Sequence, residues 1–190
     1  MKKPLLICAS ALAFCSPASW AQQYPVYEST GTVELTVKGE KATYHSTSNT
    51  IPGQPDKLVQ TANWRTSAPM MLGGVNLAPP GILVSIASRP TVEPDPAAPQ
   101  LKITFSVDEN DYSLIETAPL EVIYTIKEGS EAGEYRHASG SLTLSSVTPE
   151  GDVLKVSGNA AGTLVGANSK KGAGQTLDYE ADFIVHAHRH

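Results

Sequence analysis

Three C-terminal histidines, His186, His188 and His190, are the residues whose type and spacing most invite a chemical reading. They stand two apart. Successive side chains of an extended strand point to opposite faces, so all three project from one face, about 6.6–7 Å per pair. Imidazole suits zinc and copper, and two such rings can converge on one ion at Zn–N distances of about 2.0–2.1 Å. Asp182 or Glu180 on the same face, or His45 or His137 from a neighbouring strand, would complete the shell. The competing reading is a solvated strand end, where fraying is usual and Arg189 adds positive charge. On that reading the histidines bind metal only adventitiously and the protein needs no cofactor.

Other catalytic sets fail on composition or spacing. No Gly-x-Ser-x-Gly elbow is present, and no phosphate-cradling glycine pattern opens a helix. The turn Asp108-Glu109-Asn110-Asp111 offers oxygen ligands but lacks the ligand spacing, glycine and distal Glu of a calcium loop, so it reads as solvated. The carboxylates sit mostly in turns or on exposed faces rather than paired across a cleft. The expectation is a protein that is not an enzyme.

The strand that carries the histidines is the clearest element in the chain. Leu177, Tyr179, Ala181, Phe183, Val185 and Ala187 alternate with Asp178, Glu180, Asp182, His186 and His188, with only Ile184 out of step. The odd positions are a core face, and the acids of the even face are placed to pair with Lys102 or Lys127 across strands.

The N-terminus reads as an address. Lys2 and Lys3 precede the apolar run Leu5–Phe14, and Ser19-Trp20-Ala21 supplies small residues at the cleavage positions. The run is too short for a permanent membrane anchor. Cleavage after Ala21 leaves a mature chain Gln22–His190, without Cys8 and Cys15, the only cysteines. A lipidated Cys15 is disfavoured because bulky Phe14 precedes it. The mature chain therefore relies on its core rather than on disulfides. Losing two lysines and no acid moves the formal charge from −5 to −7. Such an acidic chain is a poor partner for nucleic acid or anionic lipid, and no further apolar run reaches membrane-spanning length.

Along the mature chain, 22–28 reads as a flexible lead-in and 29–190 as one domain. Thr32–Val37 alternates, turns at Lys38-Gly39-Glu40 and returns through Lys41–Ser46. Asn49–Asp56 reads as a loop and Lys57–Thr66 as a strand containing Trp64. Ser67–Gly81 is apolar but without sustained alternation, and reads as a loop. Ile82–Ala87 is a short strand. The prolines at 90, 94, 96 and 99 mark 89–99 as a crossover within one domain rather than a linker between two. Strands then follow at Leu101–Val107, Leu120–Lys127, Glu134–Val147, Val153–Val165 and Leu177 onward. Gly158 and Gly162 suggest a bulge or a close approach.

No segment sustains helical periodicity after the signal peptide. Eight to ten short strands imply an all-β, antiparallel β-sandwich, with a small closed β-barrel as the alternative. Function is read as non-catalytic binding in the periplasm or outside a bacterial-type cell, with another envelope or extracellular protein as partner. Aromatics and Met are common at interfaces, so the candidate partner face is Trp64, Met70, Met71, Leu72 and Val75. The alternatives are a zinc- or copper-binding protein using His186, His188, His190 and Asp182, and a pilin-like fibre subunit joined by strand exchange.

Overall fold

The computed structural model describes residues 25–51, 54–68, 70–72, 75–78, 80–167 and 173–190, with the backbone alone for 54–58, 70–72 and 75–78. The expected signal segment, with Cys8 and Cys15, lies outside the described residues. The protein is all-β, and the described residues contain no helix.

Alternation of apolar and polar residues makes the strands. β1 (Tyr27–Val37) and β2 (Glu40–Ile51) are joined by Lys38 and Gly39, whose φ values of 53° and 83° are those of a two-residue primed turn. β1 thus begins inside the expected lead-in. The expected loop 49–56 is mostly strand, because β2 runs to Ile51 and β3 (Gln54–Gln60) starts at Gln54. The strand expected over 57–66 is broken at Thr61, whose backbone N–H turns aside to Thr47 O at 2.9 Å, and β4 (Ala62–Ser67) follows. The expected loop 67–81 contains a small separate hairpin, β5 (Met70–Leu72) and β6 (Val75–Ala78). A register shift between Met70 and Met71 breaks its period, which is why alternation did not show in the sequence.

β7 (Gly81–Ser88) and β8 (Gln100–Val107) pair antiparallel across the proline-rich crossover. β9 (Glu121–Ile126), β10 (Gly133–Glu150), β11 (Val153–Gly166) and β12 (Thr176–Arg189) complete the chain. Beyond Arg136, β10 is paired only with β11 among the described residues.

Ten strands form one sheet in the order β11-β10-β9-β8-β7-β4-β12-β1-β2-β3, and β12 also pairs with β11. The ladders therefore run in a circuit that β12 closes. One of its edges carries β11 along nearly its whole length; the other carries β1 and then, over His188 and Arg189, a short parallel pairing with β4. The sheet wraps one core. Leu177, Tyr179, Ala181, Phe183, Val185 and Ala187 are all buried, and Ile184 points outward with 66% of its surface exposed. Across the core the rings of Phe105 and Phe183 lie 6.1 Å apart.

The outer face of β12 finds its partners on β11 and not on the expected lysines. Asn159 Nδ2 donates to Asp182 Oδ1 at 2.8 Å, and Thr163 Oγ1 donates to Asp178 Oδ1 at 3.1 Å. Lys102 instead pairs with Glu121 on the adjoining β9. β11 is the hydrogen-bonded neighbour, so its side chains reach the acids first.

Candidate ligand pocket

A cavity of about 700 Å³ lies at the sheet end formed by the β1–β2 turn, β9 and the proline-rich crossover. Leu35 and Val37 reach it from β1, Ala42 and Tyr44 from β2, Tyr124 and Ile126 from β9, and Leu177 from the start of β12. Pro90, Ala97 and Pro99 of the crossover line it as well. Proline cannot donate to a ladder, so the segment runs free of the sheet and can serve as a wall. Lys38, Glu40, Lys127, Glu128 and Glu131 give the same cavity a charged side, and an ion pair between Lys38 and Glu131 ties the β1–β2 turn to the β9–β10 turn.

Two phenols are the buried polar groups among the described residues that line it. Tyr44 is 3% exposed and Tyr124 9%, and their hydroxyls stand 3.2 Å apart. Burial, and then the hydrogen bond to Tyr124, push the Tyr44 phenol far above its ordinary range. The Tyr44 phenol therefore stays neutral at physiological pH. The arrangement offers an apolar chamber with one hydroxyl pair inside and ions outside.

Another buried phenol, Tyr179, lies elsewhere in the core. His137 Nδ1 and the Tyr179 hydroxyl are 3.0 Å apart. Burial lowers the His137 pKa, which leaves its ring neutral at pH 7 and able to accept the phenolic proton. Burial also raises Tyr179 from its ordinary 10.0 to about 12. Both Tyr44 and Tyr179 are raised relative to the unfolded chain, so their contribution is complete below pH 10. It is lost as pH rises from 10 towards 12, where the unfolded state ionises first. Thermal unfolding across this range, followed with tyrosinate absorbance, should show a steep fall in Tm coincident with ionisation. A Tm unchanged up to pH 12 would contradict it.

The histidines are placed as the alternation required, but their neighbours are not metal ligands. His186 lies opposite Lys155 and His188 opposite Val153 on β11, while Asn63 of β4 faces His188 across the other edge. Of the expected completing ligands, His45 has its Nδ1 3.4 Å from Ser29 Oγ, and His137 Nδ1 is paired with the Tyr179 hydroxyl. Asp182 is bound to Asn159. Burial, and then the neighbouring His186, lower the pKa of His188. Among the described residues no three His, Cys, Asp or Glu side chains come together.

The end of β12 is tied to neighbouring segments through its backbone. Arg189 N donates to Asp152 O at 2.8 Å and His190 N to Trp64 O at 2.9 Å. Trp64 is committed to this closure, donating Nε1–H to Asp152 O at 3.1 Å with the Arg189 guanidinium 5.4 Å from its ring centroid. Of the expected partner face, Met70, Met71 and Leu72 lie on β5 and Val75 on β6, and their side chains are outside the described residues.

Sequence reasoning missed the chamber because its walls come from distant segments: Tyr44 and Tyr124 are 80 residues apart. The one available signal was the unusual run of prolines. Compared with protein-family models, curated proteins and solved structures, the chain matches none.

Proposed function

We propose that this chain is an exported, non-catalytic binding protein of a bacterial-type envelope, and that its ligand is a small apolar or amphipathic molecule held in the chamber behind the proline-rich crossover. One observation carries the reading: the cavity of about 700 Å³, lined by Leu35, Tyr44, Tyr124, Ile126 and Leu177, with ions beside it. Small-molecule sites are concave and mostly apolar, hold a few placed polar groups, and occupy about 300–1,000 Å³. The signal-like N-terminus and the cysteine-free mature chain support export. The deep polar feature of the chamber, a hydrogen-bonded phenol pair with Tyr44 held neutral, is suited to anchoring a ligand and supports binding over turnover.

Ala42 provides the test, because it lines the chamber yet is exposed, so a larger side chain there fills space without entering the core. Titration of the mature protein with the neutral dye Nile red should give saturable fluorescence enhancement at one site, with micromolar affinity. Ala42→Trp should weaken that affinity at least about tenfold while leaving Tm unchanged. Enhancement that never saturates, or that is equal in the variant, would rule the chamber out.

A further inference from the structure

β10 outruns the strand beside it. β9 covers it only from Gly133 to Arg136, and from His137 to Glu150 its second edge has no strand partner among the described residues. The β8–β9 connection passes nearby but spends its backbone hydrogen bonds elsewhere. Ile115 N donates to Ser106 O and Ala118 N to Ile115 O, both at 3.0 Å. A groove of about 280 Å³, walled by Phe105, Leu114, Leu120 and Leu142, separates that connection from the edge. An open edge presents a row of unpaired N–H and C=O groups, which is a template for another strand.

Two features say what this edge fits. The first is the lack of a guard. Proteins blunt sheet edges with lysine, other charges or proline. β3, the terminal strand of the sheet, carries Pro55, Asp56 and Lys57 in that manner. β10 has no Asp, Glu, Lys or Arg between Arg136 and Glu150, in a chain of net charge −5. Two acidic copies therefore meet no like-charge opposition along this run. The second feature is self-complementarity. Leu142 and Leu144 are half-buried against the core, while Thr143 between them is exposed on the outer face. The run Ser139–Leu144 holds a regular register between the two bulges of β10.

We propose that β10 pairs antiparallel with β10 of a second copy, about a two-fold axis at Thr143. Such an axis sets Thr143 against its own counterpart, a favourable cross-strand pair. It also sets Leu142 of each copy against Leu144 of the other, burying apolar surface that is now half-exposed. The charges that bound the neutral run agree with this register. Arg136 stands seven residues before Thr143 and Glu150 seven after it, so each copy's Glu150 is directed towards the other's Arg136. The contact is isologous and closes at two copies. No residue from His137 to Glu150 lines the apolar chamber, so the pairing stands apart from ligand binding.

Sedimentation equilibrium of the mature protein should show reversible monomer–dimer exchange with a micromolar Kd, as suits a small contact. Thr143→Lys places two ammonium groups opposite each other and should weaken the dimer at least about tenfold. Because Thr143 is exposed, the variant should keep the Tm of the dilute monomer, which separates loss of pairing from loss of fold. Facing Cβ atoms in an antiparallel pair lie about 4.5–5.5 Å apart, close to disulfide reach. The mature chain has no cysteine, so Thr143→Cys should give a disulfide-linked dimer on oxidation, while Ile184→Cys, exposed on β12, should not. A protein that stays monomeric at every concentration, open-ended assemblies in place of dimers, or equal association in Thr143→Lys would each overturn the assignment.

Discussion

Gly162→Ala should destabilise the protein by about 3 kcal/mol or more, beyond the usual range for adding one methylene to a packed site. Gly140 and Gly162 face each other across β10 and β11, and neither has room for a side chain. A Cβ on Gly162 would stand 2.1 Å from Ser139 O and 2.7 Å from Gly140 Cα, both backbone atoms that no rotamer change can move. Relief requires the two strands to part, next to the bulge between His137 and Ser139. Gly151 provides the control. Its φ is positive, 62°, as that of Gly162 is not, but nothing lies within 4 Å of its absent Cβ, so Gly151→Ala should cost only about 1–2 kcal/mol of left-handed strain. Urea unfolding of the two variants would measure the contrast. If Gly162→Ala proved the milder, close approach would not be what that glycine is for.

Phe183→Ala should cost about 3–5 kcal/mol. For a domain of this size that corresponds to a fall in Tm of roughly 6–20 °C. Phe183 is 2% exposed, stands against Phe105 and caps Gly158, its cross-strand partner on β11. A Cβ on Gly158 would lie 2.9 Å from Phe183 Cζ, so the ring occupies the space that a side chain on β11 would take. Phe183→Leu keeps most of the volume and should cost less than about 1.5 kcal/mol. Calorimetry on both variants tests this. A loss below about 1 kcal/mol for the alanine variant would mean that the ring is not a sealed part of the core.

Strands were legible in this sequence wherever one face is wet. β8 reads Leu101, Ile103, Phe105, Val107 on its inner face, and β12 carries the same signal from Leu177 to Ala187. The pattern failed at β5, where the register shifts inside a three-residue strand, and at Thr61, where a tertiary hydrogen bond to β2 interrupts what had read as one strand. The histidine face was placed correctly and its surroundings were not. Residue type and period say which way a side chain points; only strand order says that Lys155 and Asn63 stand beside it. The prolines were legible as an excursion from the sheet. That the excursion walls a chamber depends on Tyr44 and Tyr124 meeting across 80 residues, which no local pattern encodes.

The last strand made is the one that closes the circuit. β12 pairs with β1, β4 and β11, so the first described strand and the fourth both wait for residues 176–189 before their edges are satisfied. Contacts of such long sequence separation form slowly, because loop-closure entropy must be overcome before they contribute. Until Thr176–Arg189 is in place, Val33 and Leu35 on β1 and Leu154 and Val156 on β11 lack the strand that seals them, so closure of the circuit by β12 is the step expected to set the rate at which this core forms.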